Sequence, residues 1–160
     1  RLPKEMRQVA WYGLGPEENY PDMQSASVMG VYHTDVDGMH VEYAVPQENG
    51  RRGNVKWLAV GDGSDNLLIC TPQGTGVDVH DYTIEALAAA KHVGEIKRCE
   101  ETIVHVDAKH SGVGTNACGE EQTYANKTRI NDYEIRMVFG RAADESLIGE
   151  SKKVKVRVNE

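Results

Sequence analysis

Apolar side chains recur at every second position over most of this chain. Val9 and Trp11 alternate with polar neighbours, and so do Val41, Tyr43 and Val45, and Val77 and Val79. A period of two places alternate residues on opposite faces of a strand, so these runs predict half-buried β-strands. Ala26 to His33 carries Val28, Val31 and Tyr32 and reads the same way. Val55, Trp57, Leu58 and Val60 predict a strand, Gly61 to Asn66 a turn, and Leu67 to Cys70 the returning strand of a hairpin. Gly13-Leu14-Gly15-Pro16 is expected to break the first strand, and Pro46 to close the strand of Val41–Val45. Thr102–Val106 and Ile130–Phe139 predict two late strands. Residues 141–152 read as a linker, with Val154, Val156 and Val158 forming a further half-exposed strand.

One stretch departs from this period. Thr83 to Lys91 is rich in alanine, leucine and glutamate, which favour helix. Asp81 or Thr83 can cap its first N–H groups, Lys91 and His92 suit its C-terminal end, and Gly94 stops it. The expectation is therefore an all-β, antiparallel sandwich with one short helix near 83–91.

Composition sharpens this picture. The chain has 160 residues, enough for about one domain with a core of its own. Lys and Arg total 18 against 25 Asp and Glu, a net charge of −7, so the basic footprint of a nucleic-acid binder is missing. No apolar run reaches the length of a membrane span, and the opening residues are polar. The three cysteines, Cys70, Cys99 and Cys118, show no paired spacing and suit a reducing compartment, so a cytoplasmic location is expected.

Several groups are candidates for chemistry. Glu18 and Glu48 are two carboxylates in loops, the residue types of glycoside hydrolysis; equally, they can anchor loop N–H groups and Arg52. His105 and Asp107 share one strand face, but the six histidines lack the ligand spacing of a zinc site. Asp35-Val36-Asp37-Gly38 starts like a calcium loop, yet the position of its closing glutamate is Pro46, so a turn is expected. Cys118 lies in a small-residue loop without a cationic neighbour that would activate a thiolate.

Several ordered motifs resemble one family. Trp11-Tyr12-Gly13-Leu14-Gly15-Pro16-Glu17-Glu18-Asn19-Tyr20-Pro21-Asp22 resembles the WYGxGPxENYPDR signature of bacterial β-galactosidases of glycoside hydrolase family 2. Tyr43 to Arg52 resembles YxxPQENGxR, Val55-Lys56-Trp57-Leu58 resembles DVRWL, and Asp107 with Gly112 to Gly119 resembles D…GxGSNSCGP. The match runs from about Val9 to Phe139 and lies in the family's last domain, or small chain.

The resemblance implies the C-terminal half of a supersandwich like that of galactose mutarotases, over residues 1–140. Residues 141–160 would then be a linker and extra strand leading towards a further domain. It also implies retaining hydrolysis of terminal β-galactosides, with both catalytic glutamates in a barrel outside this chain, so no catalytic residue is expected here. Cys118 and Asn116 are expected to contribute a loop to the sugar site, with Cys118 at the place of a sugar-stacking tryptophan. Trp11, Gly15, Pro16, Glu18, Asn19, Tyr20, Asp22, Pro46, Glu48, Asn49 and Arg52 are expected to be structural. No metal or cofactor is expected in this chain, whereas Mg and Na belong to the parent. Expected partners are the rest of the parent chain or its large subunit, a β-galactoside, and a second copy through unpaired sheet edges. Met23 stands where the family has arginine, and Glu120 where it has proline. The alternatives are a carbohydrate-binding module and a mutarotase-like epimerase using His80 or His105 with Glu48.

Overall fold

A computed structural model describes residues 1–113 and 134–141. Its strands are β1 (Leu2–Pro3), β2 (Gln8–Gly15), β3 (Val28–Asp35), β4 (Arg52–Gly61), β5 (Asp65–His80), β6 (Glu101–Asp107) and β7 (Arg136–Arg141). All are joined antiparallel in one sheet of order β1-β6-β5-β4-β2-β3, with β7 also on β5. The antiparallel all-β architecture matches the expectation. Two helical turns, α1 (Val36–Met39) and α2 (Ile84–Ala89), and a 3-10 turn at Val93–Glu95 complete the described elements.

Register decides which residues face the core. Trp11 lies opposite Tyr32 on one side and Leu58 on the other, and Leu58 lies opposite Ile69. Val9, Val60, Val55, Val77 and Val79 join the same cluster, closed by Met6 and by Val36 and Met39 of α1. Each fully buried side chain of this size contributes roughly 1.5–3 kcal/mol. The two tryptophans part company: Trp57 is opposite Tyr12 and packs on Leu68 and Cys70 in a separate cluster on the other face.

The strand β5 is longer than expected. It runs as one strand of 16 residues. Its first half pairs with β7 (Ile69↔Met137) and its second with β6 (Val79↔Val104), so one edge serves two neighbours. Irregularities between Arg52 and Trp57 bend β4 against it.

Three local expectations change, and the turn expected at Asp35–Gly38 is a helical one. Gly13 and Gly15 lie inside β2 rather than ending it. A Cβ on Gly13 would sit 2.7 Å from Val55 Cγ2 and 2.8 Å from Val55 Cα, so close packing requires glycine there, not a turn. Residues 41–45 form no strand: the Val41 N–H donates to Asn49 Oδ1 instead of a neighbouring strand, and Val45 is exposed. The Asp35–Gly38 segment is a helical turn whose Asp35 carboxylate accepts from Gly38 N at 2.8 Å. Thr83 caps α2 as expected, accepting from Ala86 N at 3.2 Å, but the helix ends at Ala89, before Lys91.

The late strand starts at Arg136, and Arg141 still belongs to it. The expected strand residues 130–133, the loop residues Asn116 and Cys118, and the linker and strand of 142–160 lie outside the described residues.

Gly13→Ala is expected to destabilise the chain by about 1–3 kcal/mol through overpacking against the β4 backbone. Gly94→Ala, with open space around its Cβ position, should stay within about 0.5 kcal/mol. Urea unfolding of both variants tests the pair.

Candidate functional site

Two irregular segments, 16–23 and 40–51, meet above one end of the sheet. They have no strand partners, so their polar groups are satisfied by side chains. Asn19 is fully buried and does most of this. Its N–H donates to Arg51 O at 2.8 Å, its Oδ1 accepts from Gly53 N at 2.8 Å, and its Nδ2 donates to Glu17 O at 3.1 Å. Arg51 returns a bond from its guanidinium to Asn19 O at 3.0 Å.

The Glu18 carboxylate accepts from Gly50 N at 2.8 Å and from the Tyr43 hydroxyl. That bond pushes the Tyr43 phenol up to about 12. Gly50 has φ +78°, a conformation only glycine adopts cheaply, and this turns its N–H toward Glu18. Arg52 is buried; it donates to Gly50 O at 2.8 Å and lies 5.2 Å over the Trp11 ring. Tyr20 is buried beneath Arg51, and burial raises its phenol far above the ordinary value.

The expected structural residues therefore divide. Trp11, Glu18, Asn19, Tyr20, Asn49 and Arg52 enter this polar knot. Gly15 packs under the Tyr32 ring at the end of β2, where Pro16 is exposed. Asp22 accepts from Val113 N at 3.2 Å. Met23, at the family's arginine position, is exposed and pairs by backbone with Tyr20. Glu18 and Glu48, the two carboxylates considered for glycoside chemistry, each hold a different loop partner. Glu48 instead meets His110 Nε2 at 2.7 Å, while His110 Nδ1 accepts from Gly112 N at 2.8 Å.

Beside the knot, on the sheet face opposite the valine core, lies a cavity of about 410 Å³. Asp78 and His80 of β5 reach it from below, with His105 and Asp107 of β6. His105 and Asp107 share a face as expected from their spacing. The direct partner of His105 is Asp78, opposite it in register: Nδ1 to Oδ1 is 2.6 Å. Pro46 and Glu48 form one rim, with Asn49 alongside; Ile84, Leu87 and Ala88 form an apolar wall.

His80 Nε2 donates to Asn49 O at 3.1 Å, and its ring stacks on Tyr82 at 4.5 Å. Burial lowers the His80 pKa from 6.5 and pushes the Tyr82 phenol up to about 12. The His105 pKa rises, chiefly through its hydrogen bond to Asp78. Burial raises Asp107, and Asp78 adds to this, while Arg51 opposes it with Nε 3.6 Å from Oδ2.

Asp78 and Tyr82 are among the lining residues that the sequence did not mark as site residues. The alternation Val77-Asp78-Val79-His80 carried the signal for Asp78, because it sets Asp78 and His80 on one face opposite two valines. Cys99 donates to Asp81 O at 3.1 Å.

The comparisons with known proteins fit these motifs. The family model described as "Beta galactosidase small chain" matches residues 1–139. The chain belongs to the β-galactosidase small-chain family. Named β-galactosidases are among its relatives. That of Actinobacillus pleuropneumoniae is 30% identical over 135 residues, 84% of this chain and 13% of that protein. That of Arthrobacter sp. (strain B7) is 31% identical over 126 residues, 75% of this chain and 12% of that protein. That of Photobacterium profundum is 35% identical over 113 residues, 71% of this chain and 10% of that protein. The chain thus spans a small part of the length of these relatives. Among the described residues, no helix is long and apolar enough to cross a membrane.

The polar knot makes Asn19→Ala costly. It leaves the buried Gly53 N–H without its acceptor, a loss of about 1–3 kcal/mol readable as a lower urea midpoint.

The two cavity histidines give opposite pH signs. The folded chain refuses a proton at His80 that the unfolded chain accepts, so stability falls as pH drops below 6.5, until the lower folded pKa is reached. His105 contributes fully below 6.5, and its contribution is lost as pH rises toward its higher folded pKa. His80→Gln should flatten the loss of stability toward acid, and His105→Gln should steepen it. Urea midpoints from about pH 5 to about pH 8 span the titration range and read both slopes.

Proposed function

We propose that this chain serves as a non-catalytic domain of a larger retaining β-galactosidase, shaping its sugar site and packing against its other domains. The observation that carries this reading is the small-chain family match over residues 1–139, together with the use of Glu18 in binding loop backbone. Glu18 holds Gly50 N, and Glu48 holds His110, so each carboxylate is engaged in positioning a loop. A retaining glycosidase needs two carboxyl groups facing each other across a bond at about 5 Å. The catalytic pair is assigned to the rest of the parent chain or its large subunit.

The contribution of this domain to the site is assigned to the loop that carries Asn116 and Cys118, whose start is anchored by the bonds from His110 to Glu48 and from Val113 to Asp22. A cysteine offers a bound sugar far less apolar surface than an indole, which implies weak hold on the leaving-group sugar. Mg and Na are assigned to the rest of the parent. Self-association through the β3 edge is part of the same reading, supported by exposed Val28 and Val31 on that strand. A cytoplasmic location is part of the same reading, supported by the free thiol of Cys99.

Turnover of a chromogenic β-galactoside by the whole protein and by the 160-residue chain tests this reading. Activity is expected in the whole protein only; turnover by the chain alone would place a catalytic pair within it. In the whole protein, Cys118→Trp is expected to lower KM for lactose by roughly two- to tenfold, the worth of one aromatic stacking contact.

A further inference from the structure

We propose that Asn49-Gly50 is a site of self-modification by deamidation, and that Glu18 guards it by holding the Gly50 N–H. This inference stands apart from the β-galactosidase reading, since it concerns the chemistry of one dipeptide. The chain contains a single Asn-Gly pair, at these two positions. Glycine carries no Cβ, so its nitrogen reaches the side chain of a preceding asparagine with little steric hindrance. In the reaction Gly50 N bonds to Asn49 Cγ and gives its proton to a solvent base. The Cγ–Nδ2 bond breaks, and Nδ2 takes a proton from solvent and leaves as ammonia. One water then opens the cyclic imide. Cleavage at Cγ gives aspartate. Cleavage at the Asn49 backbone carbonyl carbon gives isoaspartate, with the main chain rerouted through Cβ and Cγ.

The fold opposes this attack at both reacting groups. Gly50 N donates to Glu18 Oε2 at 2.8 Å, which commits its proton to that oxygen. The negative charge of the carboxylate also disfavours the amide anion through which the proton is lost. The Asn49 side chain is pinned: Nδ2 donates to Gln47 O at 2.9 Å, and Oδ1 accepts from Val41 N at 2.9 Å. Asn49 is 3% exposed, so water and base have little access to it. A Cβ on Gly50 would lie 2.3 Å from Met39 O and 2.8 Å from His80 Cε1, so this peptide cannot swing unless the 40–51 segment moves. The reaction therefore proceeds from an opened segment, and its rate follows the fraction of time spent open. Glu18 matters most among these contacts, because it holds the attacking atom and because bonds to a charged acceptor are the stronger ones. The product fits back poorly. Gln47 O loses its donor, and a carboxylate replaces a neutral amide at a buried position, where the Tyr82 hydroxyl lies 3.3 Å from Nδ2. Deamidation thus turns a reversible opening into a lasting one.

The test incubates the chain in mildly alkaline buffer and follows Asn49 by peptide mass spectrometry, with isoaspartate as the signature of the imide route. In urea the reaction is expected to concentrate at Asn49, and in buffer the folded chain should react there at least about tenfold more slowly. Glu18→Ala, its folded state checked by its amide spectrum, should deamidate at Asn49 about tenfold faster than the wild type, the worth of one hydrogen bond to a charged acceptor. Glu18→Gln keeps an acceptor oxygen without the charge and serves if the alanine variant does not fold; about a threefold acceleration is expected. Ile69→Val weakens the valine core while leaving Glu18 and its bonds in place, and should accelerate the reaction less than either. The deamidated chain, separated by its added charge, should unfold at a lower urea midpoint. Equal wild-type rates in buffer and urea, an unchanged or slower rate in a folded Glu18 variant, or equal acceleration in Ile69→Val overturns the proposal. So does an unchanged midpoint after deamidation.

Discussion

Val77 and Val79 face the core, and Asp78 and His80 between and beside them face the opposite way. The antiparallel register against β6 sets Val106 and Val104 across from the valines and His105 across from Asp78. A slip of one residue would drive two valines into the polar cavity and an aspartate and a histidine into the core. Burial of an unmatched charge costs more than any single hydrogen bond on the cavity side returns, so the register has no near competitor. The valine cluster, the cavity and the placement of the β4 end, where Arg52 lies opposite Val77, all hang on this one alignment.

The loops above that end obey a second constraint, the need to satisfy backbone polar groups outside any strand. Asn19 and Asn49 each act as a short piece of backbone, presenting a carbonyl and an amide where no strand lies alongside. This explains why the signature is so rich in Asn, Gly and Glu and so poor in apolar residues. Its carboxylates bind N–H groups and phenols because the loops are partly buried and water cannot do it for them. The same residue types that suggest glycoside chemistry in a linear reading are here the fasteners of two loops. The knot also fixes Asn49, whose carbonyl sets the tautomer of His80, so the loops and the cavity are coupled through one residue.

Strand existence was legible wherever alternation was backed by burial. Val9–Trp11, Val55–Val60 and Val77–Val79 alternate because one face of each meets the core. Val41, Tyr43 and Val45 alternate just as strictly, yet Tyr43 turns to Glu18 and Val45 to solvent. Alternation reports which side chains are apolar, not whether a neighbouring strand is present to accept the N–H groups. Gly13 and Gly15 misled in the opposite direction. Glycine marks either a turn or a close approach, and only the distance to Val55 and Tyr32 distinguishes the two. The short helix at Ile84–Ala89 was readable because Thr83 and the alanines act locally, with its end displaced because Lys91 contacts Glu95 instead.

Local chemistry in the sequence by itself determined the antiparallel β class, the β4–β5 hairpin, the capped helix and the family motifs, since each rests on neighbours within a few residues. The pairing of His105 with Asp78, the bond of His80 to the Asn49 carbonyl and the different loop partners of Glu18 and Glu48 were decided by tertiary structure alone. Each joins residues far apart along the chain, 27 positions for Asp78 and His105 and 31 for His80 and Asn49. Such contacts depend on strand order and register, and these are set by the cooperative burial of the valine core rather than by any property of the two residues that meet.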